Sequence, residues 1–134
     1  MTKITEIEGI GSGFAAKLMA AGISTIEQLL AQGAQPEGRR EIVKETGISN
    51  TLVLKWINRA DLFRIKGIGE EYADLLEIAG VDTVPELAQR NPDNLHNKLK
   101  DINIEKKLVR RTPGKGQISD WIAQAIELPR KVHY

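Results

Sequence analysis

Two short stretches of this chain have the residue types needed to hold an anion on backbone groups alone. They are Ile7-Glu8-Gly9-Ile10-Gly11 and, further on, Ile65-Lys66-Gly67-Ile68-Gly69. Glycine tolerates positive φ and lets a ligand approach the main chain. A helix that starts just after such a turn offers unpaired N–H groups and the positive end of its dipole, which suit a phosphate oxygen. After Gly11 come Ser12 and Gly13, small neutral residues that leave those amides open, with Lys17 one turn behind. After Gly69 come Glu70 and Glu71, whose charges help the helix by about 0.3–1 kcal/mol each but repel a phosphate placed there. Lys66 before the second turn offsets this in part, where the first turn has Glu8. The first turn is therefore read as the phosphate site (Gly9, Ile10, Gly11, Ser12, Gly13, Lys17). The second (Lys66, Gly67, Gly69) is weighted toward structure.

A third set of candidate contacts is basic. Lys98, Lys100, Lys106, Lys107, Arg110, Arg111 and Lys115 face only Asp101 and Glu105 between Leu95 and Gly116, after an acidic stretch from Asp61 to Asn94. Arg110, Arg111 and Lys115, beside the Thr112-Pro113-Gly114 loop, could grip phosphates, and the loop could order on contact. A solvated helix face beside a flexible loop is the alternative. A fourth candidate, Arg39 to Trp56 with Gly47 at its turn, reads like a helix-turn-helix in which Ser49, Asn50, Thr51 and Lys55 face a groove. Trp121 repeats the position of Trp56 without that signature, so the simpler reading makes this helix pair the closing half of a repeat unit.

Catalytic chemistry finds no support. The chain has no cysteine, hence no disulfide framework, thiolate metal site or cysteine nucleophile. His96 and His133 lack metal-ligand spacing to carboxylates, and Gly114-Lys115-Gly116 is not a phosphate loop of the Walker type. Glu70, Glu71, Asp74 and Glu77 at helical spacing read as a wet helix face. The expectation is a non-enzyme with no small-molecule substrate and no cofactor.

The 134 residues, with 41% hydrophobic and 28% charged content, make an ordinary globular chain. The net charge of +1 gives no support to nucleic-acid binding in bulk. No apolar run reaches the length of a membrane span and no signal-peptide pattern opens the chain, so a cytoplasmic protein with no membrane partner is expected. Period-two alternation is missing and helical signals are plentiful. Expected helices cover Ser12–Ala21, Ile26–Gln32, Gly38–Thr46, a longer one after Ser49 or Asn50, Glu70–Ala79, Thr83–Arg90, one capped by Asp93, Asn103–Arg111 and Gln117–Leu128. Thr25 with Gln28, and Thr83 with Glu86, have the spacing of capping boxes.

The parallel continues beyond the turns. Ala15, Leu18, Ala21-Gly22, Thr25 and Leu29 recur as Ala73, Leu76, Ala79-Gly80, Thr83 and Leu87. An internal duplication sets the architecture: an all-α fold of two tandem repeats, 1–61 and 62–134, each extended by further helices and packed as one compact domain. The pattern apolar-x-Gly-Ile-Gly-x-x-x-Ala, with its downstream Ala-Gly-Ile/Val-x-Thr, resembles the helix-hairpin-helix motif, and the two copies resemble a tandem pair. That resemblance implies sequence-independent contact with the DNA sugar-phosphate backbone across the minor groove, and at times a monovalent cation on the hairpin carbonyls. From Gly38 onward, Leu54-Lys55-Trp56, Ala60 to Gly69, Asn91-Pro92, Leu95, Pro113 and Trp121-Ile122 resemble the bacterial domain-of-unknown-function family DUF4332, which implies no activity. The expected function is DNA-backbone binding; the rival is a protein-interaction or scaffold module with purely structural hairpins.

Overall fold

The computed structural model describes residues 2–134; Met1, counted in the first repeat above, lies outside them. Among the described residues the chain is all-helical. A 3-10 turn at Ile4–Glu6 precedes α1 (Ser12–Ala20), α2 (Ile26–Gly33), α3 (Pro36–Thr46), α4 (Asn50–Leu62), α5 (Glu70–Ile78), α6 (Val84–Ala88), α7 (Pro92–Lys106) and α8 (Lys115–Glu127). Strand-type pairing among them is limited to one isolated bridge between Lys3 and Thr25. No helix among these residues is long and apolar enough to cross a membrane. The chain divides into two compact units. One holds the residues up to Asp61 together with Arg130–Tyr134, the other Leu62–Pro129.

In the first unit α1 stops because Gly22 takes φ +86, and the amide of Ile23 returns to the Leu18 carbonyl. Thr25 then caps α2 through a complete box: its hydroxyl accepts from the Gln28 amide at 3.1 Å while the Gln28 side chain accepts from the Thr25 amide at 3.2 Å. α3 starts two residues before the expected Gly38, with Pro36 in its first turn, where a missing N–H costs no helical bond. Gly38 lies inside the helix because α3 presses backbone to backbone on the end of α2; a Cβ there would sit 1.8 Å from the Gln32 carbonyl oxygen. α4 carries Val53, Trp56, Ile57 and Ala60 inward, all essentially inaccessible.

In the second unit α6 and α7 pack on α8, and α5 packs on α7. Their apolar faces form one core through Leu75, Leu76, Leu87, Leu95, Leu99, Ile118, Trp121 and Ile122. Thr83 accepts from the Glu86 amide at 3.1 Å, but the box found at Thr25 is only half formed here. Two expectations need correcting. The helices expected from Asp93 and from Asn103 are one helix, α7, capped by the Asn91 side chain on the Asn94 amide at 3.1 Å; Asp93 lies within its first turn. It ends at Lys107, whose left-handed φ of +52 turns the chain out, so Leu108 to Arg111 are not helical. α8 in turn begins at Lys115, two residues before the expected Gln117.

Glycines at two helix positions should behave oppositely. Gly13 has open space where a Cβ would go, and Gly13→Ala should be neutral or stabilise by up to about 1 kcal/mol. Gly38→Ala, which propensity alone would favour, should cost at least about 1–3 kcal/mol because helix backbone must move. Urea midpoints with unchanged slopes check both, and a Gly38→Ala protein as stable as the parent contradicts the packing described.

Candidate nucleic-acid interface

The first turn is built from the inside. Ile4, Ile7 and Ile10 are buried, and successive amides close on the third residue back, Ile7 on Ile4 and Ile10 on Ile7, both at 3.1 Å. Between them Gly9 takes φ +93, a conformation L side chains avoid. The indole of Trp56, delivered by α4, lies beneath: its Nε1 is 3.5 Å from where a Gly9 Cβ would stand. The ring of Phe14 meets that indole edge-on, 5.1 Å between centroids at 64°. Gly11, extended at φ −85, is the N-cap of α1 and supplies no side-chain cap. The first helical bond is from the Ala15 amide to the Gly11 carbonyl at 2.9 Å. That leaves the amides of Ser12, Gly13 and Phe14 without a helical acceptor.

These amides open onto a cleft of about 520 Å³ lined by Gly9, Gly11, Ser12, Gly13, Phe14 and Lys17. The Lys17 ammonium stands 5.9 Å from the centre of the Phe14 ring. Five of the residues expected at this site are thus gathered in one place. Ile10 is the exception: at 4% exposed, with its amide bonded to Ile7, it anchors the turn and cannot meet a ligand through its side chain. Phe14 was not among the expected site residues. Its signal was present, because Phe14 and Tyr72 hold the same place after the two turns.

The second turn has the same backbone and a different setting. Gly67 has φ +100, Gly69 is the extended N-cap of α5, and Ile68 is buried. Trp121 from α8 lies beneath, with Tyr72 against it at 5.3 Å. Here the fit is tighter, since a Gly67 Cβ would come within 2.8 Å of the indole Nε1. The side chain of Gln124 grips the Lys66 peptide from both sides, accepting from its amide at 2.8 Å and donating to its carbonyl at 3.1 Å. Tyr72 donates its hydroxyl to the Arg111 carbonyl at 3.3 Å, so the segment after α7 rests on this turn. Glu70 and Glu71 occupy the first turn of α5.

The remaining candidates separate. Arg110 and Arg111 are exposed on the segment that Tyr72 holds. Lys115 belongs to the first turn of α8, and its ammonium pairs with Asp93 at 2.6 Å. In the helix-turn-helix reading, Val53 and Trp56 are core, and the Ser49 hydroxyl caps α4 on the Leu52 amide at 3.2 Å. Arg39 is buried and donates to the carbonyls of Gly33, Ala34 and His133. The α3–α4 pair therefore closes the first unit. Beside it a hollow of about 360 Å³ is lined by Pro36, Arg39, Arg40, Asn50, Leu54 and Tyr134. Burial raises the Tyr134 pKa even though its hydroxyl bonds to Asn58 at 2.7 Å.

The two turn glycines give a graded test. Gly9→Ala should cost about 1–3 kcal/mol from positive φ alone. Gly67→Ala adds a clash with a buried indole and should cost more. Equilibrium unfolding of both variants checks the order, and the reverse order would contradict the Trp121 geometry.

Residues 8–128 match the family DUF4332, described as a domain of unknown function. The match spans most of the chain, which belongs to this family. No solved structure matches it.

Proposed function

For this member of the DUF4332 family, whose description carries no activity, we propose sequence-independent, non-catalytic binding of the DNA backbone at the first glycine turn. On this reading the turn is a helix-hairpin-helix phosphate contact. The observation that carries it is the cleft lined by Ser12, Gly13, Phe14 and Lys17 beside the unpaired first amides of α1, with open space where a Cβ at Gly11 or Gly13 would stand. A phosphate oxygen there accepts from the amides and meets the positive end of α1, while Lys17 neutralises the remaining charge. Backbone donors carry no base information, so the contact is blind to sequence.

Affinity should be low. One helix terminus contributes about 0.3–1 kcal/mol of charge stabilisation, and a net charge of +1 adds little long-range attraction. Non-specific binding in the range of about 10⁻⁴–10⁻⁶ M fits such a site. The second turn, pinned by Gln124, crossed by the Arg111 segment and carrying Glu70 and Glu71, serves the fold on this reading. Those same features, with the near-neutral charge, favour the rival scaffold reading if the first turn takes no phosphate.

Proline supplies the test, because Pro36, Pro85 and Pro92 already sit in first turns of this protein's helices. Ser12 is the first helical residue and follows an extended Gly11, so Ser12→Pro removes one donor amide and keeps the helix. By fluorescence anisotropy with a labelled duplex, Ser12→Pro should weaken binding several-fold while Ser12→Ala leaves it near the parent. Lys17→Gln should flatten the salt dependence by about 0.9 in log–log slope. A parent protein that shows no salt-sensitive binding at about 50 mM salt hands the case to the scaffold.

A further inference from the structure

The second unit carries a surface that the first turn does not account for. Ile104, on the last turn of α7, is 67% exposed, and Leu108, just past the helix, is 38% exposed. Cations bracket Leu108 in the sequence, Lys106 and Lys107 before it and Arg110 and Arg111 after it, and all four follow Ile104, with Glu105 the one acid between Ile104 and Arg111. Among the described residues these four cations have no ion pair and no side-chain hydrogen bond, unlike Lys115 with Asp93.

The segment is also fixed in shape. Lys107 turns the chain out of α7 in the left-handed conformation. The Asn103 amide then brackets Val109, accepting from its N–H and donating to its carbonyl at 3.0 Å each, and reaches Thr112 at 3.4 Å. Val109 is buried below, and Tyr72 holds the Arg111 carbonyl. Two exposed aliphatic side chains in one short segment with four unpaired cations match one partner feature in particular. A duplex groove has two rows of phosphates and, between them, a base stack into which aliphatic side chains can be wedged. An acidic helix would need a groove to lie in, and a side chain two-thirds exposed does not line one.

We infer that Ile104 and Leu108 form an apolar wedge on the Lys106–Lys107–Arg110–Arg111 platform, inserted at a base step of duplex nucleic acid and bending it. The inference rests on the DNA reading of the first turn only for the class of partner; the residues and the physical effect are separate. The wedge needs a deformable step, so flexible TA or CA steps and mismatches bind more tightly than stiff A-tracts.

The experiment uses the full chain and a short duplex with a dye at each end, read by energy transfer and by anisotropy. Parent protein should shorten the end-to-end distance. Ile104→Ala with Leu108→Ala should abolish the shortening and keep much of the affinity; both positions are exposed, so the fold survives. Arg110→Gln with Arg111→Gln should flatten the log–log salt slope by about 1.8, twice the single-phosphate value. Lys107→Gly, which suits the left-handed position, should melt no lower than the parent and still flatten the slope by about 0.9.

The outcomes separate the two readings. A duplex that is bound but not bent, or bent equally by the double-alanine variant, overturns the wedge and leaves the first turn standing. Bending that survives Ser12→Pro with undiminished affinity supports the wedge and overturns the first-turn contact. Absence of duplex binding overturns both. Capture of an acidic helical peptide, lost in the double-alanine variant and unaccompanied by duplex bending, overturns the wedge in favour of a protein partner.

Discussion

Each unit depends on a tryptophan placed beneath a glycine that has left the conformations open to other residues. Gly9 and Gly67 take nearly the same positive φ; the Trp56 indole lies in van der Waals reach of a Cβ at Gly9, and the Trp121 indole takes up the space a Cβ at Gly67 would need. The arrangement joins sequence-distant parts of a unit. The turn is at its start and the indole comes from its last helix. A buried tryptophan carries more apolar surface than any other side chain, and truncating one typically costs about 3–5 kcal/mol. The helix that leaves each turn inherits its direction from this contact, because Phe14 and Tyr72, both in first helical turns, pack on the same indoles. The uncapped start of α1 is thus aimed by a core contact on the far side of the turn.

One backbone frame lies in two different settings. Both turns pair a positive-φ glycine with an extended glycine N-cap, yet the surroundings diverge where a ligand would approach. At the first turn small residues leave a cleft, while at the second Gln124, the Arg111 segment and two glutamates occupy the neighbourhood. Gln124 stands three residues after Trp121, where the first unit has the buried Arg59 three residues after Trp56. The difference begins on the inner face of the last helix and is expressed at the surface of the turn.

Much of this was legible in the sequence because it is local. The positive-φ glycines, the Thr25–Gln28 box, the Gly22 and Gly47 stops and the inward faces of α4 and α8 all follow from patterns within a few residues. What was not legible depends on partners far along the chain. Nothing near Gly38 announces that the Gln32 carbonyl will press on it, so propensity alone moved the start of α3. The join of two expected helices into α7 turns on Lys107, a residue that seldom ends a helix in the left-handed region. At the candidate site the amides and Lys17 could be named from spacing alone. The Phe14 wall, the burial of Ile10 and the closure of the second turn required knowing what lies beneath and above each turn.

The last five residues carry a consequence of another kind. Arg130–Tyr134 belong to the first unit: the His133 amide bonds to the Ala34 carbonyl at 2.8 Å, Arg39 holds the His133 carbonyl, Val132 is buried and Tyr134 reaches Asn58. The unit that leaves the ribosome first is therefore finished last. Until the second unit has been synthesised, the buried Arg39 lacks one of its three acceptors, the His133 carbonyl. Vectorial synthesis and spatial order run in opposite directions here, and the closing strap ties completion of one half to the translation of the other.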